Sequence, residues 1–129
     1  KDLVADGLSA ELNRVAISKE RLLKAPVLIL VCLTMEGMRR YMDDRRMEAE
    51  YLMAVQSVAA SIQNLLLAAH VEGLGSCWMG APLFCRETIK TTLDLPKSFD
   101  PQAFVLVGSP DEKPDPPERK SLEEVVLRK

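Results

Sequence analysis

Gly73-Leu74-Gly75-Ser76-Cys77-Trp78-Met79-Gly80-Ala81-Pro82 follows a long apolar run and contains the only tryptophan of the chain. Glycine suits positions where the backbone takes φ > 0 or where a ligand comes close. Here glycines bracket a short β-prone run, Cys77-Trp78-Met79. A helix that ends on glycine, turns and enters a strand can present backbone N–H groups to a ligand. The same residues also read as a plain helix cap and a turn into a buried strand. They are not the dinucleotide fingerprint, which needs G-x-G-x-x-G between a strand and a helix.

Upstream, residues 46–72 predict one long helix. Leu52, Val55, Val58 or Ala59, Ile62, Leu65 or Leu66 and Ala69 keep a 3.6-residue period. Around residues 65–69 the helix is apolar on every side. Such a helix is central in its domain or buried against a second subunit. A second face carries Met53, Ser57, Ala60 and Asn64, small and polar residues that permit close approach. Gly73 is placed to cap this helix.

Residues 1–6 read as a helix end closed by Gly7, and Ser9 as the cap of a helix over 9–23. Leu12, Val15, Ala16 and Leu22 or Leu23 give that helix an apolar stripe. Pro26 stops it. The continuously apolar run 27–33 predicts a strand covered on both faces. A polar connection over 34–45 follows. Beyond Gly73 come a strand near 76–80, a helix near 84–92, a strand over 103–107 and an extended Pro- and acid-rich segment over 108–118. The apolar residues 122–127 are expected to dock elsewhere, including on a partner chain.

With 129 residues the chain fits a single domain. Its formal charge of −2 gives no support to nucleic-acid binding. Three cysteines without a CxxC pair point to a reducing, cytoplasmic compartment rather than a disulfide scaffold. The apolar run at 26–33 is too short to span a bilayer, and nothing resembles a signal peptide. The chain begins without Met in what reads as an ongoing helix, so an N-terminal segment is expected upstream.

Several residues carry candidate chemistry. Arg119-Lys120, after Pro116-Pro117-Glu118, can hold a phosphate or stand as a solvated pair. His70, the only histidine, sits where a helix C-terminus favours a cation, and alone it makes no zinc site. Cys32, Cys77 and Cys85 read as packing residues. Asp43-Asp44-Arg45-Arg46 reads as a polar-substrate element or as a helix start. Gln56, Gln63 and Asn64, if buried, need partners.

Taken in order, these segments resemble the nitroreductase-like flavoprotein superfamily. The resemblance runs from Ala54 to Ala69, through Glu72 to Trp78 and Ala81 to Phe84. It continues at Val107-Gly108 and from Pro117 to Val126. Asp2-Leu3, Asp6-Gly7-Leu8, Ala25-Pro26-Val27, Tyr41, Asp43 and Arg45-Arg46 further resemble the branch linked to deazaflavin-coenzyme biosynthesis. The superfamily implies an α+β fold: a central antiparallel or mixed sheet flanked by helices, with a long central helix at a homodimer interface. It implies FMN at that interface. Cys77, Trp78, Met79 and Gly80 would lie at the flavin edge and Arg119 and Lys120 at its phosphate. NAD(P)H would be the electron donor and a small conjugated molecule the acceptor, with no catalytic side chain and no metal. The tail would reach the other subunit. The family's N-terminal Arg-Arg-Ser-x-Arg element is absent here and is expected before Lys1. Two rivals remain: a non-catalytic ligand-binding dimer of the same fold, and a cofactor-free helical dimerisation domain.

Overall fold

The computed structural model describes residues 12–128, with side chains from residue 15 onward. The expectations for residues 1–6, Gly7 and the Ser9 cap lie outside the described residues. Within them, α1 (Leu12–Lys24) leads into β1 (Val27–Leu33), α2 (Asp44–Val71), β2 (Gly75–Met79), a 3₁₀ turn (Ala81–Phe84), α3 (Arg86–Thr92), β3 (Asp100–Gly108) and α4 (Leu122–Val125).

The architecture is α+β: one three-stranded antiparallel sheet in the order β1-β3-β2, crossed by a long helix. α2 is capped by Asp43, whose backbone is extended and whose carboxylate accepts the N–H of Arg46. That satisfies one of the donors left open at every helix start. It ends in a Schellman motif. The N–H of Leu74 donates to the Ala69 carbonyl, that of Gly73 to His70, and Gly73 has φ +74°. Only glycine takes that backbone at low cost.

The core lies between α2 and one sheet face. Ile62 is 2 % exposed, and Ala103 and Val105 are fully buried. Val58, Leu65, Leu66, Ile29, Val31 and Val107 close around them. Along α2, Glu50, Ala54, Ile62 and Ala69 are the buried residues and mark its inner stripe. Met53, Ser57, Ala60 and Asn64, together with Gln56 and Gln63, are exposed. The three amides therefore need no internal partner. By length and composition α2 is also able to cross a membrane. Here it packs along one stripe onto a sheet.

One expectation is corrected. β1 is not covered on both faces: it is an edge strand, and Val27 and Leu28 are exposed. Its continuous apolar pattern reflects a strand that is only half covered within one chain. Of the apolar stripe of α1, Val15, Ala16 and Leu23 are exposed. Residues 122–127 open with a helical turn. A capping box between Ser121 and Glu124 starts the short α4. Leu122 and Val125 of α4, and Leu127 beyond it, stay exposed.

Gly108 is fixed by packing, because a Cβ there would lie 2.8 Å from Cδ and Cγ of Pro26. A polar knot closes one end of the sheet. Oδ2 of Asp100 accepts from Tyr51 Oη at 2.9 Å, Gln102 Nε2 at 2.9 Å and Arg86 Nη1 at 3.3 Å.

Candidate functional site

β2 pairs with β3 alone, so its outer edge has no strand partner among the described residues. Unpaired edge N–H groups are ready donors for a ligand. Trp78 stands opposite Val105, on the sheet face that α2 covers, and its ring is 41 % exposed. Cys77 and Met79 point to the other face, opposite Leu106 and Phe104. Gly80 leaves the strand at φ −81° and ψ 8° to start the 3₁₀ turn. A Cβ built there meets only Leu83 Cδ1, at 3.9 Å. The turn therefore combines a free backbone edge, open space and a large aromatic side chain.

Arg119 and Lys120 lie on the exposed stretch between β3 and α4. Neither forms a hydrogen bond or ion pair with another described residue, and no contact among the described residues ties them to the turn at Gly80. That stretch is held at its start, where Pro110 lies against Gly75 and Glu112 pairs with Arg21 at 3.4 Å.

The cysteines divide. Burial, reinforced by the negative charge of Asp100, pushes the Cys32 thiol up, which suits a packing residue. Cys77 is half-buried. Cys85 is exposed, so its assignment to packing does not hold. It precedes α3 at the surface, where its neighbours in sequence do not cover it. Asp43 serves as a helix cap. The backbone N–H of Arg46, and then its guanidinium, hold the Asp43 carboxyl below its ordinary range. His70 is exposed in the last turn of α2. No group of three or more metal-ligating side chains occurs among the described residues.

Sequence reasoning missed the Asp100 knot and a cleft beside the start of α2. The cleft, about 320 Å³, is lined by Met35, Met38, Arg39, Arg40, Tyr41 and Met47. Gln102, a lone polar residue in an apolar strand, was the available signal for the first. Three methionines close to two arginines were the signal for the second.

The residues at the turn fit a flavin. The free edge of β2 offers N–H donors to a ring edge, Gly80 presents no side chain to an approaching group, and Arg119 and Lys120 are exposed cations able to take a phosphate. The fit requires the tail, or that of a second copy, to approach the turn.

Comparison with known proteins bears on this site. The sequence model of the Nitroreductase family matches residues 2–109. A protein from Methanothermobacter thermautotrophicus carrying the name NADH dehydrogenase/NAD(P)H nitroreductase is 36% identical over 92 residues. That match covers 70% of this chain and 43% of the relative. A nitroreductase-type structure from Desulfovibrio desulfuricans, solved with FMN, is 31% identical with TM-score 0.66, over 81% of this chain and 55% of that one. A structure from Bacteroides fragilis, at 22% identity, shares the fold with TM-score 0.70, over 91% of this chain and 50% of its own. The chain thus spans about half the length of the relatives it matches.

Proposed function

The chain belongs to the nitroreductase family, and from that premise we propose that it forms part of an FMN-dependent oxidoreductase. In this reading it is homodimeric and cytoplasmic, and it passes hydride from NAD(P)H to a nitro, quinone or other conjugated small molecule. The observation that carries the reading is the turn at Trp78-Met79-Gly80, with its free strand edge and open space. FMN in the similar Desulfovibrio desulfuricans structure supports the choice of cofactor. The NAD(P)H nitroreductase name of the Methanothermobacter thermautotrophicus relative supports the donor.

When bound, FMN supplies the two-electron chemistry. The protein's own task is to bind and orient. Backbone N–H groups at the outer edge of β2 would face the ring edge where negative charge develops, and donors already in place stabilise that charge without reorganising. Trp78 would cover the ring system and keep water from it. Arg119 would take the phosphate through paired N–H groups and Lys120 as a point charge.

The exposed outer face of α2, with Met53, Ala60 and Leu67, supports pairing with a second copy. Its small residues would let two helices approach closely. Three free cysteines suit a reducing compartment.

The test is an absorbance spectrum of purified protein titrated with FMN, followed by NADH and NADPH oxidation assays. Bound flavin and oxidation of either nucleotide are expected. Protein that stays colourless after FMN addition refutes the reading. Bound flavin without nucleotide oxidation favours the non-catalytic binding dimer. The narrower reading, reduction of a deazaflavin-coenzyme intermediate, is decided by offering that intermediate as the acceptor.

A further inference from the structure

The loop between β1 and α2 shapes a cleft of about 320 Å³. Its floor is largely apolar, with Met35, Met38, Tyr41 and Met47 half-buried, and Arg39 and Arg40 line it as exposed residues. Two backbone contacts hold the loop on α2. The buried Glu50 carboxylate accepts the Arg39 N–H at 3.3 Å, and Met47 Sδ accepts the Tyr41 N–H at 3.1 Å. The Arg46 guanidinium lies 4.9 Å over the Tyr41 ring and is paired with Asp43, so its charge is already engaged. Arg39 is held through its backbone. Among the described residues no hydrogen bond or ion pair occupies the guanidinium of Arg39 or Arg40, and both side chains border the cleft.

This arrangement sorts ligands by charge. Two adjacent arginines bring two full positive charges to one opening. A carboxylate or sulfonate balances one of them. A phosphomonoester carries about −1.5 to −2 charges at pH 7 and three acceptor oxygens, enough for both. Guanidinium groups match such oxygens in pairs. The thioethers of the floor are polarisable and make favourable contacts with aromatic rings. A nucleotide joins the two needs, a flat base and a phosphate held apart by a sugar. The space reaches the lower end of ordinary small-molecule sites, about 300–1,000 Å³, which suits a mononucleotide.

The strand register sets the cleft apart from the turn at Gly80. β1 ends at Leu33, opposite Asp100, and β2 ends at Met79, opposite Phe104. The two exits are therefore offset by roughly 13 Å along the sheet and roughly 10 Å across it. A small ligand in the cleft leaves the turn free.

We propose that this cleft is a second ligand site, separate from the flavin turn, that binds a phosphorylated nucleoside. The base would lie on the methionines and the phosphate on Arg39 and Arg40. The proposal goes beyond the oxidoreductase reading and stands on the cleft alone. A free mononucleotide and the 2′-phosphate end of NADPH share this chemistry, so the phosphate position is part of the test.

Equilibrium dialysis of the whole chain, with and without saturating FMN, compares 5′-AMP, 2′-AMP and adenosine. At least one AMP isomer is expected to bind about tenfold tighter than adenosine, the scale of hydrogen bonds to a charged group, and to do so equally with FMN present. Tighter 5′-AMP points to a free nucleotide, and tighter 2′-AMP to NADPH. Arg39→Ala with Arg40→Ala should bring the ratio of AMP to adenosine to about one. Arg39→Lys with Arg40→Lys keeps part of the preference, and Lys97→Ala, an exposed cation elsewhere, keeps all of it. In the unmutated chain, carbon-13 methyl spectra should show Met35, Met38 and Met47 moving on AMP addition, while Met79 stays in place. The proposal is overturned if neither AMP isomer binds better than adenosine, or if the preference survives the double alanine variant. Displacement of AMP by FMN, or movement of Met79 in place of the cleft methionines, overturns it as well.

Discussion

The Tyr51 hydroxyl of α2 donates to the Asp100 carboxylate, at the first residue of β3, over 2.9 Å. This contact pins the long helix to the sheet near the start of its inner stripe. Tyr51→Phe removes one of three donors to the same oxygen and is expected to cost about 1 kcal/mol. Asp100→Ala strands Tyr51, Gln102 and Arg86, whose Nε is already buried without a partner. It is expected to cost about 2–3 kcal/mol, the range for unsatisfied buried donors. Urea unfolding at constant m reads both, and equal losses for the two variants contradict this account.

Gly80 and Gly108 are expected to separate function from packing. Gly108→Ala drives a Cβ into the Pro26 ring and should cost about 1–3 kcal/mol, as overpacking does. Gly80→Ala meets nearly empty space and should leave stability within about 0.5 kcal/mol. Gly80→Val should in addition lower flavin occupancy. A Gly80→Val protein with full flavin content would make the turn purely structural.

Arg119→Ala is expected to weaken FMN binding by about 1.5–3 kcal/mol, the scale of hydrogen bonds to charged groups. Lys120→Ala should cost less, because a lone ammonium lacks the paired geometry. Flavin fluorescence titration measures both. Affinity unchanged in Arg119→Ala removes that residue from the phosphate site.

Ala60→Arg places a long cation on the outer face of α2, away from the buried stripe. The monomer should fold as before, with unchanged helical circular dichroism, and sedimentation should show the dimer lost. A variant that stays dimeric means another surface joins the copies.

Asp43 links the start of α2 to pH. Its carboxyl titrates below the ordinary value of 3.8 in the folded chain. A depressed folded value means the stabilisation is fully present above the unfolded value and is lost as pH falls through the folded one. Helicity of the first turn should therefore decline below about pH 4. Asp43→Asn, which caps without a charge, should abolish that step in an acid circular-dichroism titration.

Much of the fold was legible in the chain because periodicity reports directly on burial. The stripe through Val58, Ile62, Leu65 and Ala69 gave α2, and Gly73 gave its end to within a residue or two. The apolar runs gave all three strands. What stayed hidden depends on long-range partners. The position of β1 at an edge follows from β3 lying between β1 and β2, which no local pattern encodes. The Asp100 knot joins residues from three separate elements. The turn at Trp78 was recognisable as a short β-prone run between glycines, yet its outward edge became visible only with the strand order. Arg119 and Lys120 were equally visible as residues, and their exposed stretch leaves their approach to the turn to a second copy or a moved tail.

The strand order also governs how the chain finds its shape. β2 follows α2 through a tight glycine cap, so helix and strand can form together from neighbouring residues. β1 must wait for β3, since Val27 pairs with Val107 from nearly the other end of the described chain. Closing so long a loop spends entropy before any contact rewards it, and such non-local pairings slow folding. The ladder between β1 and β3 is therefore the expected slow step, and stopped-flow refolding of strand variants tests it. On that expectation the helix that fills the core assembles before the strand that seals it.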